Sequence, residues 1–288
     1  MSLEPERRGI PLRAVVPNAV TALALCVGLT GVRFATAGEW ELAMAAIVTA
    51  AVLDGMDGRI ARALRGQTRF GAELDSLSDV IAFGVSPAII VHLWVLHEWR
   101  GTGWVFALAY AVCMALRLAR FNANIDVTDQ PHKSAGFLTG VPAPAGAGLM
   151  LLPILIWLAS DRQWDWLRDP WIVGPWAALI AFLAISNIAT FSWGSLRLRR
   201  HVRLEAIVAI ALIGGAVLSE PWMTLSAVGV LYLAMIPFSV ASYARVIRLR
   251  RAAAAAAPSL PLPEPEPKPG RPLGPARRRR SPPNMPSE

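Results

Sequence analysis

Residues 54 to 79 read DGMDGRIARALRGQTRFGAELDSLSD. Four aspartates, Asp54, Asp57, Asp75 and Asp79, stand in the spacing D-x2-D-G-x2-A-R-x8-G-x3-D-x3-D, with long apolar runs on either side. A carboxylate in or near a bilayer is costly unless it is solvated, paired or bound to a metal, so ionisable groups in such places are functional candidates. Asp54 and Asp57 are three residues apart and Asp75 and Asp79 four apart, so on two helices each pair shares a face. The short, basic, glycine-containing stretch from Arg65 to Phe70 suits a turn between antiparallel helices, which would point all four carboxylates into one cavity. Such a cluster is stable only around cations. Its donors are hard oxygens with no His or Cys among them, which favours Mg²⁺ or Mn²⁺ over Zn²⁺. Mg²⁺ commonly completes its shell with water and substrate phosphate, so the expected ligand is a phosphate ester or diphosphate. Gly58, Ala61 and Gly71 stand beside the carboxylates and, being small, let a flat or bulky group approach the backbone.

Outward from this stretch the chain is apolar. Its 288 residues are 55% hydrophobic, with mean hydropathy +0.45 and eleven tryptophans, values that suit an all-α, polytopic membrane bundle rather than a water-soluble domain. Eight runs are long enough to span: about 14 to 34, 41 to 63, 77 to 96, 103 to 120, 141 to 159, 171 to 193, 204 to 220 and 222 to 245. The third opens on Asp79, and the seventh is short, with Glu205 and two glycines. Lysine and arginine cluster before the first run and after every second one, whereas the alternate loops carry only Arg33, Arg100, Arg162 and Arg168. The positive-inside rule reads this as about eight helices with both termini in the cytoplasm and the aspartates at the cytoplasmic ends of the second and third. That geometry fits a cell (inner) membrane protein.

The remaining features are consistent with this. A net charge of +8 might suggest nucleic acid, but the basic residues sit between apolar runs and in the tail, so anionic membrane lipid is the expected partner and nucleic acid is not. Cys26 and Cys113 lie inside apolar runs without metal-ligand spacing and read as small buried hydrophobes. The four histidines are scattered, which argues against a histidine metal site. The N-terminus lacks the compact pattern of a cleaved signal, so the first run is expected to be retained. Trp99, Trp104, Trp164, Trp166 and Trp171 flank two loops as an interfacial aromatic belt. Residues 1–251 are read as the membrane domain. Residues 252–288, six alanines followed by Pro-rich sequence and Arg277 to Arg280, are read as a disordered cytoplasmic tail.

A second motif follows the fourth run: ALRLARFNAN at 115 to 124 and GFLTGVPAPAG at 136 to 146. Arg117 and Arg120 stand at a helix C-terminal end, where they complement the dipole, and Arg117 can be read as a simple topological anchor. A guanidinium can also grip a carboxylate bidentately, and an amide both donates and accepts, so Arg120, Phe121 and Asn122 form a candidate site for a polar substrate.

The aspartate pattern resembles the signature of the CDP-alcohol phosphatidyltransferases, with every fixed position filled. Within that family, FGVSPA at 83 to 88, ALRLARFN and GVPAPA resemble the serine-specific members, and the likeness covers most of residues 14 to 150. The resemblance implies transfer of a phosphatidyl group from CDP-diacylglycerol to L-serine, with Asp54, Asp57 and Asp75 holding Mg²⁺ or Mn²⁺ and Asp79 acting as ligand and general base. It further implies that Asp54, Gly58, Ala61, Arg62 and Gly71 hold the cytidine diphosphate portion, that Arg120, Phe121 and Asn122 take serine, and that the protein is a homodimer. Two alternatives stay open on the residues alone. One is a family member using glycerol phosphate, inositol phosphate or choline; the other is a cation transporter, against which stands the gathering of the aspartates at one membrane face.

The charge alternation makes a checkable statement about sidedness. In a background without Cys26 and Cys113, an impermeant thiol reagent on intact cells is expected to label Trp164→Cys and to spare Thr68→Cys; the reverse labelling overturns the orientation.

Overall fold

The computed structural model describes residues 12–123, 137–139, 141–186, 189–191 and 203–256. Helix α1 (Leu12–Thr36) turns through Gly38, which adopts a left-handed φ of 76°, into α2 (Trp40–Ala63). Helix α3 (Arg69–Asp79) runs through a π-helical turn, Val80–Val85, into α4 (Ser86–Trp94), and α5 (Thr102–Ala123) follows. Next come α6 (Ala143–Met150), α7 (Leu152–Ala159), α8 (Pro170–Ile185), α9 (Arg203–Ser219) and α10 (Pro221–Ala256). One short antiparallel ladder accompanies the helices: β1 (Phe137–Thr139) pairs with β2 (Ala189–Phe191), with Leu138 opposite Thr190. The helical class expected from composition is thus observed, with this ladder added. Met1–Ile247 forms one unit and Arg248–Glu288 another, of which the described part is the helical stretch up to Ala256. The expectation of a disordered tail falls, from residue 257 on, outside the described residues.

Among the described residues four helical stretches are long and apolar enough to cross a membrane: Val15–Thr36, Arg69–Trp94, Thr102–Ala123 and Pro221–Ser242. The other four apolar runs are helical over most of their described length, but each falls short for a visible reason. The C-terminal half of α2 carries the charged DGMDGRIAR sequence. The run at 141 to 159 is broken into two eight-residue helices, α8 has 16 residues and α9 has 17. Among the described residues four stretches therefore meet the length and composition of a span, fewer than the eight apolar runs. Exposed Leu23, Leu29, Val105, Val112, Phe182 and Leu212 line the helix surfaces, far more bare apolar area than a water-soluble monomer presents. This is a membrane protein. Cys26 also lies on that exposed surface, contrary to the expectation of burial, while Cys113 is half-buried.

Small residues set the packing around α1. A Cβ on Gly28 would lie 2.9 Å from the Cβ of Ala82, and one on Gly31 would lie 3.2 Å from the Ala43 carbonyl oxygen. On α2, buried Ala43, Ile47 and Ala50 recur at helical spacing toward this contact. Association of helices in lipid gains little from hydrophobicity and much from such close approach.

Prolines shape two of the other elements. Pro87 has no N–H to offer the Phe83 carbonyl four residues back, and its ring crowds that carbonyl. The backbone widens there into the π-helical turn, closed by the Ser86 N–H donating to the Ile81 oxygen five residues back. The hydroxyl of fully buried Tyr110, on α5, donates to the Phe83 oxygen at 2.9 Å. Pro153 likewise has no N–H for the Leu149 oxygen; α6 gives way to α7 at this point, and Trp176 Nε1 donates to that oxygen at 2.9 Å.

Gly28→Val is expected to destabilise the bundle by about 1 to 3 kcal/mol, because neither Ala82 nor its backbone can retreat within a packed helix. Thermal unfolding in detergent checks this, and an unchanged midpoint would show that α1 packs more loosely than described.

Candidate active site

The aspartate-bearing helices are joined by a tightly specified turn. After Ala63, the Arg65 N–H donates to the Arg62 oxygen at 3.3 Å and the Gly66 N–H to the Ala61 oxygen at 2.9 Å, a Schellman closure. Its left-handed position is held by Arg65, with φ 49°, rather than by the neighbouring glycine. Thr68 then caps α3: its side chain accepts from the Gly71 N–H at 3.0 Å, and its carbonyl from the Ala72 N–H at 3.1 Å. The turn expected between Arg65 and Phe70 is thus a helix C-cap followed directly by an N-cap.

This reversal brings Asp54, Asp57 and Asp75 together, with one carboxylate oxygen from each lying within 4.8 Å of the others. Asp57 is buried, 4% exposed, and its Oδ2 accepts a 2.5 Å hydrogen bond from Thr21 Oγ1 on α1. Ser78 Oγ donates to the Thr21 carbonyl at 3.3 Å, tying α3 to the same point on α1. Asp79 stands beside the trio rather than in it. Its side chain is in hydrogen-bonding reach of Asp54, and its Oδ1 is buried without a partner among the described residues. The guanidinium of Arg117, on α5, lies within Coulombic range of Asp79.

Among the described residues neither Asp54, Asp57 nor Asp75 forms an ion pair with a lysine or arginine, so their charges have no protein counter-ion in contact. Converging hard-oxygen donors of this kind fit Mg²⁺ or Mn²⁺, and Asp54, Asp57 and Asp75 are the residues that could hold such an ion, with Asp79 in hydrogen-bonding reach of Asp54.

A cavity of about 310 Å³ adjoins the trio and includes Asp57, Asp75, Gly58, Ala61, Arg62 and Gly71 in its walls. All four of the non-acidic residues expected to hold the diphosphate portion therefore line one space, while Asp54 is outside its walls and stands in the carboxylate trio. A side chain at Gly71 would have to displace Asn18, since a Cβ would lie 2.7 Å from Asn18 Oδ1 and 3.1 Å from Thr68 Oγ1. Gly58 differs, because a Cβ there would meet only Arg62 Nη1, at 3.6 Å. Pro17, Asn18 and Thr21 of α1 also line the cavity, as do Gln67 and Thr68. Sequence reasoning missed these residues. The signal available was the polar pair Asn18 and Thr21, three apart inside an apolar run.

A hydrogen bond ties the second motif to the first, as Ser76 Oγ on α3 donates to Asn122 Oδ1 at 3.0 Å. Arg120 donates from Nη2 to the Ile185 carbonyl at 2.8 Å, satisfying the C-terminal end of α8, and Phe121 is exposed. The 124–136 loop beyond lies outside the described residues.

The family model for CDP-alcohol phosphatidyltransferase matches residues 14–186. The chain belongs to that family. A second model, CDP-alcohol phosphatidyltransferase 2, matches residues 201–237. The chain is 38% identical over 236 residues to a Mycobacterium bovis protein named CDP-diacylglycerol–serine O-phosphatidyltransferase, covering 82% of this chain and 81% of that one. A Mycobacterium leprae protein of the same name is 36% identical, covering 81% and 77%, and one from Helicobacter pylori is 33% identical, covering 60% and 70%.

Open space at Gly58 gives a test of the cavity that leaves the fold alone. Gly58→Leu is expected to keep the wild-type unfolding midpoint and to weaken cytidine diphosphate binding at least tenfold, since a filled pocket loses the contacts of its ligand outright. Calorimetric titration reads it; wild-type affinity would place the nucleotide elsewhere.

Proposed function

We propose that the protein transfers the phosphatidyl group of CDP-diacylglycerol to the hydroxyl of L-serine, giving phosphatidylserine and CMP in phospholipid biosynthesis. The observation that carries the reading is the convergence of Asp54, Asp57 and Asp75 on the cavity lined by Gly58, Ala61, Arg62 and Gly71. The acceptor is supported by relatives named for serine that span most of the chain.

Each group has a stated task. Mg²⁺ or Mn²⁺ on Asp54, Asp57 and Asp75 would neutralise the diphosphate and stabilise CMP as a leaving group. Arg62 lines the same space and adds a positive charge for the phosphates. Asp79, with a buried oxygen that has no partner among the described residues, takes the proton of the serine hydroxyl. The serine oxygen bonds to the phosphatidyl phosphorus, the bond from that phosphorus to the bridging oxygen breaks, and the electron pair leaves on CMP. Serine also carries a carboxylate, which near four aspartates needs a cation, and Arg120 fills that role beside Phe121 and Asn122. The Ser76–Asn122 hydrogen bond supports this by fixing the segment against the carboxylate helix.

The same reading places the site on the cytoplasmic side of the cell membrane in a homodimer, with both termini cytoplasmic. Lys and Arg alternation supports eight crossings, the shorter helices α6 to α9 included. Residues 1–251 are the membrane domain in this reading, with 252–288 as a tail.

Purified protein with CDP-diacylglycerol and Mn²⁺ or Mg²⁺ is expected to release CMP only when serine is added. Release with glycerol phosphate, inositol phosphate or choline instead would reassign the acceptor, and no release with any alcohol would favour ion transport. Asp54→Asn, Asp57→Asn, Asp75→Asn and Asp79→Asn should each abolish release, as should excess chelator; full activity in any two of the variants would remove the metal reading. Arg120→Ala should raise the serine KM roughly ten- to hundredfold, the worth of a charge-assisted contact. An unaltered serine KM would remove Arg120 from the serine site.

A further inference from the structure

We propose that Tyr110 is a positioning residue for Asp79, acting through the π-helical turn, so that a fully buried hydroxyl outside the cavity walls sets the aim of the base. The inference rests on the role given to Asp79 above.

Asp79 is the last residue of α3, and the π-helical turn begins at Val80. A wider turn advances each residue by a smaller angle than an α-turn does, so its presence rotates everything before it relative to everything after it. After the turn, Ala88, Val91, Trp94 and Ile90 are held in the core. That half cannot rotate, so the state of the turn decides the azimuth of Asp79.

Three residues of α5 at helical spacing engage this region from one side. Tyr110 donates to the Phe83 oxygen that Pro87 cannot serve. Met114 packs on Gly84, where a Cβ would lie 3.2 Å from its side chain. Arg117, one further turn along, faces Asp79 electrostatically, with Nε buried and lacking a partner among the described residues. Were the turn to relax to α, the Asp79 carboxylate would swing away from both Asp54 and Arg117. The hydroxyl of Tyr110 opposes that relaxation, because in a dry interior the Phe83 carbonyl has no water to accept from and must otherwise find a backbone donor.

A purely structural tyrosine and a positioning one differ in a double variant. Tyr110→Phe keeps the ring and its packing and removes only the donor. It is expected to lower kcat by about ten- to a hundredfold, the usual consequence of misplacing a reacting group by around an ångström, with the KM for serine and for CDP-diacylglycerol within about twofold of wild type. Adding Pro87→Ala supplies an N–H four residues from the Phe83 carbonyl, so the carbonyl is satisfied by an α-helical bond. The thermal midpoint of Tyr110→Phe/Pro87→Ala should therefore recover towards wild type while kcat stays low. Recovery of kcat together with the midpoint would overturn the proposal, as would a wild-type kcat in Tyr110→Phe alone. Asp79→Asn measured alongside separates the two readings. If it is inactive while Tyr110→Phe is wild type, only the positioning role falls; if it is fully active, the role of Asp79 falls and this inference with it.

Discussion

Mutual repulsion of carboxylates is the constraint on which this molecule depends. Oxygens of Asp54, Asp57 and Asp75 within 4.8 Å of one another repel on the order of 3 kcal/mol per pair even at a generous effective dielectric. Among the described residues no lysine or arginine forms an ion pair with them, so the fold holds an arrangement that a bound cation would relieve. Much of the surrounding architecture serves that end. The Schellman closure and the Thr68 cap leave little slack between the two acidic helices, and Thr21 pins Asp57 from a third helix. Helix α1 can approach closely enough to do so because Gly28 and Gly31 carry no side chains.

A second constraint is the scarcity of water in a membrane interior, where a backbone carbonyl deprived of its helical partner is expensive. Pro87 and Pro153 each create such a carbonyl, at Phe83 and Leu149. In both cases an aromatic side chain from a neighbouring helix brings the missing donor, Tyr110 in one and Trp176 in the other. Prolines here therefore do more than bend helices. Each one converts a bond within a helix into a bond between helices, which fixes the partners' registers.

The sequence made the acidic cluster legible because its spacing is helical and its surroundings are apolar; Asp54, Asp57 and Asp75 meet as the period of 3.6 requires. The helical class was legible for the same reason. Less visible was how many apolar runs remain unbroken, since a single Pro153 barely lowers the hydropathy of its run although α6 gives way to α7 there. The share of α1 in the site was also hidden. Asn18 and Thr21 are uncharged, and what matters about them is a contact across 36 residues from Thr21 to Asp57. The aim of Arg120 is a further case: a guanidinium at a helix end can serve a substrate or a neighbouring helix terminus, and only coordinates reveal the Ile185 carbonyl. Asp79 looks in sequence like an equal fourth ligand, and the π-helical turn directly after it accompanies its place beside the trio.

Helix α3 has two unlike faces. Asp75 looks toward the cavity, while Phe70 and Leu77, at 67% and 63% exposed, are bare on its surface. Under the proposed reaction a single short helix therefore stands at the boundary of two phases, with a polar headgroup handled on one side and acyl chains accommodated on the other. The lipid then has no need to leave the bilayer, and encounter happens by lateral diffusion in two dimensions. For such an enzyme the concentration that matters is the mole fraction of CDP-diacylglycerol in the membrane. Diluting that lipid with inert phospholipid slows turnover even when its total amount in the vessel is unchanged, whereas serine, arriving from water, obeys ordinary bulk concentration.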